Sequence, residues 1–192
     1  MIKLGAKELR TVIPTKDETA SIKKNPIYII LDNVLDTYNV GSIFRLADAV
    51  AAEKVFLCGE TLTPPNSRIK KASINTWNWV NWEYAETALT AINKLRTHNS
   101  KKRDRAFGER SLLSQSEIKI ICVEQDKRSV PYTEMKVELP LAIVVGNETY
   151  GVSKEVLNMA DQIVEIPMWG VNKSLNVMVS CGIVLYEIMK FK

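Results

Sequence analysis

The sequence predicts an α/β protein built on a parallel sheet with helices on both faces. Short runs that are continuously apolar and rich in β-branched residues recur along the chain, and segments with apolar residues at helical spacing separate them. Strands that are apolar on both faces are typical of a parallel sheet, whose crossover connections are helices. A length of 192 residues suits a single core, so we expect one domain.

Five apolar runs are the predicted buried strands, and glycine or proline-rich turns close several of them. They cover residues 27–31, 55–58, 118–123, 141–145 and 162–166. A shorter segment with Trp77, Trp79 and Trp82 also looks like a strand. Its tryptophans are candidates for stacking on nucleic-acid bases, although packing against the core is the more common use of such residues.

Helical spacing predicts helices between these strands and at the end of the chain. They cover residues 41–52, 85–97, 153–160 and 174–189. Asn39 is a candidate N-cap of the first helix and Ser153 of the third. The last helix is apolar nearly all round, so we expect it to be buried in the domain or against a partner.

Two segments stand apart from this alternation. Residues 1–26 form a short polar lead-in, which leaves 27–192 for the domain. Near residues 99–117, a basic segment separates a helix from its strand by more than the usual ~2 to 6 residues. We predict an inserted basic loop there, which is either a solvated surface or a contact for RNA. Its cations are Lys101, Lys102, Arg103, Arg105 and Arg110.

Composition limits the possible functions. Lys and Arg number 26 against 22 for Asp and Glu, a net charge of +4 that permits a nucleic-acid partner without requiring one. No apolar run is long enough to span a bilayer, so no membrane partner is expected. Three widely separated cysteines and one histidine argue against disulfides and against a metal site. We therefore expect a cytoplasmic protein without a metal.

The polar residues that follow the strands mark a site. Gly146 and Gly151 bound a polar turn directly after the run at 141–145, and a second glycine-containing loop lies between 166 and the last helix. Two loops suited to close backbone approach therefore flank one strand, the layout of a site for a small polar ligand. The glycine signatures of dinucleotide-binding and P-loop proteins and the serine-hydrolase elbow are missing from the sequence.

A third polar unit follows the first strand. Asn39, Gly41 and Arg45 share a single turn-to-helix segment, with Arg45 one turn beyond Gly41 on the same face. Gly41 lets another backbone or a ligand approach. With the two glycine loops, this unit places polar, glycine-containing segments after three of the predicted strands.

These three segments resemble the SpoU (TrmH-like) branch of the SPOUT RNA methyltransferases. The family's Asn-x-Gly-x-x-x-Arg motif corresponds to residues 39–45, its Gly-x-Glu-x-x-Gly motif to 146–151, and its Ile-Pro-Met…Ser-Leu-Asn-Val motif to 166–177, in the same order. The resemblance covers residues 27–190 apart from the basic insertion. It implies a C-terminal trefoil knot, an exception to the rule that chains are unknotted.

The resemblance also implies S-adenosylmethionine as the cofactor and methyl transfer to a ribose 2′-hydroxyl of RNA. The family's cofactor contacts correspond to Val123, Gly146, Ile166, Met168, Ser174 and Leu175. Apolar side chains of this kind can enclose an adenine while backbone groups bind its edge. We expect Gly146 and Gly170 to leave room for that ligand.

The catalytic residues implied by the resemblance are Arg45, Asn39, Glu148, Ser174 and Asn176. A free arginine is a poor base because its pKa is above ~12. We therefore expect Arg45 to bind a phosphate and to stabilise developing oxyanion charge, with the general base left open. Asn39, Glu148 and Asn176 would orient the substrate and the loops. Asn39 as a helix cap alone, and Glu148 as a cap or ion-pair partner alone, are the simpler interpretations.

Two other functions remain open on the sequence alone. One is a catalytically silent RNA-binding protein on the same scaffold, and the other, disfavoured by the missing glycine signatures, is a generic nucleotide-binding protein. Compact family members often modify tRNA, so tRNA is expected ahead of rRNA. Family members also dimerise through the last helix, so a homodimer is expected. The 26-residue lead-in is too short for a folded RNA-binding domain, which leaves the catalytic surface, the basic insertion or the dimer groove to recognise the RNA.

Overall fold

The computed structural model describes residues 4, 5, 7–106 and 117–192, with the backbone alone at residues 10 and 98–106. The strands are β1 (Asn25–Asp32), β2 (Ala52–Cys58), β3 (Trp82–Ala85), β4 (Lys119–Val123), β5 (Val130–Pro131), β6 (Leu141–Gly146) and β7 (Gln162–Glu165). The helices are α1 (Lys16–Ala20), α2 (Thr37–Ala49), α3 (Ser67–Ser73), α4 (Ala88–Ala106), α5 (Lys154–Met159) and α6 (Val177–Ile188).

The seven strands form one sheet in the order β3-β2-β1-β6-β4-β7-β5, and every pairing is parallel. In the centre, Ile29 pairs with Val55 on one side and with Ile143 on the other. The predicted α/β class with a parallel sheet is confirmed. Because all the strands run the same way, the loops after β1, β6, β4 and β7 meet at one edge, the carboxyl edge of the sheet.

The core has two layers, one on each face of the sheet. Ile29 and Leu31 of β1 pack in one cluster with residues of α2 and α6, such as Phe44 and Leu185. Ile30, between them, packs on the opposite face in a second cluster, which contains Ile92 of α4 and Val156 of α5. This alternation along β1 follows from the two-residue repeat of a strand. The predicted placement of helices on both faces is therefore confirmed.

The first and last predicted helices, which carry motif residues, begin at other residues than the sequence predicts. The first predicted helix begins at Thr37 rather than at 41, because the side chain of Asp36 caps it by accepting a 2.8 Å hydrogen bond from the Tyr38 N–H. Asn39 is therefore inside the helix, and its prediction as the N-cap was wrong. The last helix begins at Val177 rather than at 174, and Asn176 caps it. Both caps are short acceptor side chains of the type that favours this position.

The tryptophan segment is only partly a strand. Trp82 opens β3, whereas Trp77 lies in a 3-10 turn that follows two residues in the left-handed region, Ile74 at φ 48° and Asn75 at φ 66°. All three tryptophans of the segment pack against the core, and Trp79 donates a 2.7 Å hydrogen bond to Asp48. Core packing, rather than a base-stacking row, is confirmed for them.

The predicted basic loop differs from the structure over its first part. Helix α4 continues to Ala106, so the backbone from 99 to 106 is helical where a loop was expected. The rest of that segment, which includes Arg110, lies outside the described residues. At the other end of the chain, the lead-in contains α1, which is held by a capping box between Thr15 and Glu18.

The three cysteines, Cys58, Cys122 and Cys181, are free and buried in β2, β4 and α6. Burial raises the pKa of each thiol to about 12, and the charge of Asp32 adds to this at Cys58 and Cys122. Across the described parts of the chain, no helix combines the length and the apolar character needed to cross a bilayer.

Candidate functional site

A cavity of about 490 Å³ opens at the carboxyl edge of the sheet, between the loops that follow β4, β6 and β7. The first turn of α6 completes its wall. All six residues predicted to contact the cofactor line this cavity, namely Val123, Gly146, Ile166, Met168, Ser174 and Leu175. The structure therefore brings together residues that are up to 52 positions apart in the sequence (175 − 123).

The loop after β6 is a closed turn. The backbones of Asn147 and Gly151 exchange two hydrogen bonds, at 3.0 and 2.9 Å. Within the turn, the side-chain oxygen of Asn147 accepts from the N–H groups of Thr149 and Tyr150. Gly151 has φ 69°, a value that favours glycine. The turn therefore has a fixed shape before any ligand binds.

The role expected for Gly146 has to be corrected. A Cβ atom at this position would lie 2.1 Å from the carbonyl carbon of Gly151 and 2.2 Å from the nitrogen of Val152. The space beside Gly146 is thus taken by the returning backbone of its own loop and is not room for a ligand. At Gly170, in the second loop, a Cβ atom would have no neighbour within 4 Å, so open space remains on that side.

Glu124 and Gln125, directly after β4, connect the two loops and were missed in the sequence. The carboxylate of Glu124 accepts a 2.8 Å hydrogen bond from the N–H of Val152, at the end of the first loop. The side-chain amide of Gln125 donates to the carbonyl oxygen of Lys173 in the second loop. Both residues line the cavity. The only sequence signal for them was their position as a polar pair directly after a predicted buried strand.

A second network joins the segments that carry the three motifs. Asn39 of α2 donates through Nδ2 to Oε1 of Glu148 at 3.0 Å, and its Oδ1 atom accepts from Nδ2 of Asn176 at 2.9 Å. Glu148 also accepts from the backbone N–H groups of Leu35 and Asp36, each at 3.0 Å. Asn39, Glu148 and Asn176 therefore form one chain of hydrogen bonds. The interpretation of Asn39 as a cap alone is excluded.

This network determines the ionisation of Glu148. Burial of the carboxyl group works to raise its pKa, but the hydrogen bonds from Asn39 and from the Leu35 and Asp36 N–H groups outweigh burial and lower the pKa below the ordinary value of 4.5. The carboxylate is therefore charged at neutral pH. In that form it accepts hydrogen bonds and does not donate them.

The other two predicted catalytic residues, Ser174 and Arg45, are not part of this hydrogen-bonded chain. Ser174 lines the cavity, and its N–H donates to the side chain of Asn172 at 3.2 Å. Arg45 is exposed on α2, outside the cavity wall, and its side chain makes no hydrogen bond or ion pair with any residue that the structure describes. Its guanidinium is therefore open to solvent beside the site, not buried within it.

Two exposed aromatic residues at the rim were also missed in the sequence. Tyr150, in the loop after β6, is 88% exposed, and Trp169, directly after Met168, is 92% exposed. No group of three or more His, Cys, Asp or Glu side chains within the described ranges is arranged to hold a metal ion.

Comparison with known proteins identifies the class to which this fold and site belong. The model of the SpoU rRNA methylase family matches residues 26–105 and 101–186. These ranges cover most of the chain. The chain belongs to the SpoU rRNA methylase family.

Individual relatives differ in the RNA named for them. The chain is 31% identical over 173 residues to a tRNA (guanosine(18)-2′-O)-methyltransferase of Aquifex aeolicus, covering 88% of this chain and 72% of that one. It is 30% identical over 176 residues to the 23S rRNA (guanosine-2′-O-)-methyltransferase RlmB of Haemophilus influenzae, covering 91% of this chain but 63% of the relative. The chain thus spans less than two thirds of the length of some of its relatives.

Solved structures agree with the family assignment. The A. aeolicus TrmH/SpoU tRNA modifying enzyme superposes with a TM-score of 0.71 at 26% identity, over 96% of this chain and 81% of that one. An rRNA methyltransferase from Sinorhizobium meliloti, solved with bound S-adenosylmethionine (AdoMet), superposes with a TM-score of 0.68 at 25% identity, over 95% of this chain and 60% of that one.

Proposed function

We propose that this protein is an S-adenosylmethionine-dependent RNA methyltransferase that modifies a ribose 2′-hydroxyl. The observation that carries the proposal is the hydrogen-bonded chain Glu148–Asn39–Asn176, which joins the segments of all three family motifs beside one cavity. A protein that only bound RNA would have no need for such a cavity and an aligned polar network at the same edge of the sheet.

The cavity suits the proposed cofactor in its chemistry. Ile166, Met168 and Leu175 line the cavity and offer apolar surface for an adenine. Glu124 and Glu165 also line the cavity, and their carboxylates suit a ligand with cationic groups. When bound there, the cofactor supplies an electrophilic methyl group on a sulfonium.

The residues of this chain then have to position the ribose oxygen and stabilise its charge. The 2′-hydroxyl is a weak nucleophile, so placing it against the methyl carbon lowers the barrier to attack. Arg45 is exposed and unpaired among the described residues, so its fork of N–H donors is free to bind an RNA phosphate and the developing oxyanion. The Glu148–Asn39–Asn176 chain holds α2 against both loops and so orients Arg45's helix toward the cavity.

The activity test is methyl transfer from labelled S-adenosylmethionine to RNA. We expect incorporation into RNA and resistance of the product to alkaline cleavage at the modified nucleotide. The alternative is a catalytically silent RNA-binding protein, which would bind RNA but incorporate no label. Calorimetry with S-adenosylhomocysteine separates the methyltransferase from a generic nucleotide-binding protein, which would not bind it.

For the substrate, we propose tRNA ahead of rRNA. The A. aeolicus relative, which is 31% identical and covered over 72% of its length, is named for tRNA, and the H. influenzae relative, which is 30% identical and covered over 63% of its length, is named for 23S rRNA. The higher coverage of the first supports the order. Mapping the ribose methylations that disappear when the gene is deleted tests this order directly. A missing methyl group in rRNA with intact tRNA would reverse it.

A homodimer through α6 is part of the same proposal. Val179 is 39% exposed and Tyr186 is 56% exposed on this helix, and Phe191 just beyond it is 59% exposed. A second copy would cover these side chains. Sedimentation velocity should give a dimer, and replacing Val179 and Tyr186 with lysine should shift it to a monomer. A monomeric wild-type protein would contradict the proposal.

Two further features are proposed on the strength of the family. The first is a trefoil knot, supported by the contact of the 166–176 loop with Gln125 and by the order β6-β4-β7 in the sheet. Tracing the chain in an experimental structure tests it.

The second is RNA binding by the cations of residues 101–110. Replacing all five with alanine should weaken RNA binding without changing the binding of S-adenosylhomocysteine.

A further inference from the structure

Helix α3 presents a dense set of positive charges. Its seven residues include Arg68, Lys70 and Lys71, here called the α3 cations, and no acidic residue. All three are exposed, while Ile69 and Ser73 on the other side of the helix are buried. The side chain of Asn66 caps the helix by accepting from the N–H groups of Arg68 and Ile69. The cations are therefore held on a fixed element and directed to solvent.

The α3 cations have no acidic partner within the described ranges. They differ in this from Lys54 and Lys94, which pair with Glu83, and from Arg128, which pairs with Asp126. Arg68 and Lys71 are three residues apart on one helix, a spacing at which like charges repel each other. Unpaired like charges of this kind create a positive potential that attracts an anionic partner.

The packing of α3 places these charges beside the functional site. Helix α3 approaches α2 so closely at Gly41 that a Cβ atom there would lie 2.6 Å from the Ala72 Cβ and 2.7 Å from the Ile69 carbonyl oxygen. Gly41 is two residues after Asn39, which bonds to Glu148 and Asn176. Arg45 is one helical turn further along α2. Because Gly41 has no side chain, α3, which carries the α3 cations, packs directly against α2, which carries Arg45.

We propose that the α3 cations and Arg45 form a continuous surface for the phosphates of the RNA strand that flanks the target nucleotide. This proposal rests on the proposed function and adds the path of the RNA across the protein, from the cavity over α2 to α3. Phosphate contacts position a strand without reading its sequence, so the surface sets the register of the target and not its identity. Arginine and lysine are the side chains suited to such contacts.

The test replaces Arg68, Lys70 and Lys71 with alanine together and measures binding to a mixed-sequence single-stranded RNA over a range of salt concentrations. Each lost phosphate contact flattens the slope of log K against log salt by about 0.7 for single strands. We expect a slope flatter by up to about 2 and weaker binding at low salt. The matched control replaces Lys16, Lys23 and Lys136, which are also exposed but belong to other segments and do not line the cavity, and should keep the wild-type slope.

Methylation kinetics give a second measurement. The alanine variant should raise KM for RNA while kcat at saturating RNA and the affinity for S-adenosylhomocysteine stay at wild-type values, because the cavity is untouched. Arg68→Lys alone, which keeps the charge, should retain the wild-type slope. If the wild-type protein binds and methylates RNA while the triple variant keeps its slope and KM, the α3 surface is overturned and the proposed function stands. A wild-type protein that binds no RNA overturns both.

Discussion

The side-chain amide of Asn39 donates a 3.0 Å hydrogen bond to Glu148, a residue 109 positions away in the sequence. The oxygen of the same amide accepts from Asn176, 137 positions away. Both ends of the Asn39 side chain are therefore used, and a carboxylate or an apolar side chain of the same size would satisfy at most one of them. This position fixes α2, the loop after β6 and the start of α6 relative to one another.

Replacing Glu148 with glutamine should change how stability depends on pH. The carboxylate has a pKa below 4.5 in the folded protein, so its contribution to the free energy of unfolding is present above that pH and is lost as the pH falls through the folded-state pKa. The variant should be less stable than wild type at neutral pH by about 1 kcal/mol, the scale of one hydrogen bond. Urea unfolding at a series of pH values measures the gap.

The gap between wild type and Glu148→Gln should shrink only below pH 4.5, where the wild-type carboxylate becomes protonated. The same substitution made together with Asn39→Ala should cost less, because one of the donors to the carboxylate is already absent. A gap that stays constant into acid would mean that the three hydrogen bonds do not stabilise the charged form.

Replacing Glu124 with alanine should weaken the binding of S-adenosylhomocysteine by about tenfold, the scale of a lost hydrogen bond to a charged group. The reason is that Val152 would lose the acceptor of its N–H, which holds the end of the loop after β6. Glu124→Gln keeps one acceptor oxygen and should restore most of the affinity. Calorimetry on both variants decides the matter, and equal affinities for alanine and wild type would remove Glu124 from the loop's support.

Replacing Arg45 with alanine or lysine should lower methyl transfer by about two orders of magnitude, as expected for a positioned electrostatic group. Lysine should not rescue the activity because it lacks the planar fork that binds a phosphate through two N–H groups. The affinity for S-adenosylhomocysteine should stay at the wild-type value, because Arg45 lies outside the cavity wall. Turnover near that of wild type in either variant would contradict the role assigned to it.

Replacing Gly146 and Gly170 with alanine should give opposite results. At Gly146 the added Cβ would lie 2.1 Å from the backbone of Gly151, so the loop must open, and both the melting temperature and the affinity for S-adenosylhomocysteine should fall. At Gly170 the added Cβ would meet nothing within 4 Å, so the melting temperature should be unchanged. Thermal melting and calorimetry test the pair. Equal tolerance at the two positions would show that the loop after β6 adapts more than its two backbone hydrogen bonds suggest.

The sequence was sufficient to predict the longer strands but not the order in which the strands lie in the sheet. The apolar run at 141–145 became β6 (Leu141–Gly146), because a run that is apolar on both faces has to be buried. No such run reveals that β6 separates β1 from β4, since that order is set by long-range packing. The two-residue strand Val130–Pro131 was missed because it is too short to carry a pattern and contains proline.

In the site, too, some features could be predicted from the sequence and others depend on the tertiary fold. The positions of Asn39, Glu148 and Asn176 could be identified from the motifs, but their mutual hydrogen bonds depend on the tertiary fold. The expectation that Gly146 leaves room for a ligand was wrong, because a glycine in the sequence does not indicate which neighbour fills the place of its missing side chain. Glu124 and Gln125 carry no motif, and only their contacts with the two loops show their role.

The three buried thiols offer a built-in reporter of native-state opening. The thiolate is the form that reacts with alkylating reagents, and a pKa of about 12 leaves almost none of it at neutral pH. Alkylation therefore proceeds only through states in which a thiol is released to solvent. Cys58 and Cys122 lie in strands on either side of the β1–β6 pair, and Cys181 lies in α6, the helix whose first turn lines the cavity. Labelling rates at the three positions, read by mass spectrometry with and without S-adenosylhomocysteine, would show whether the sheet and the C-terminal helix open together or apart.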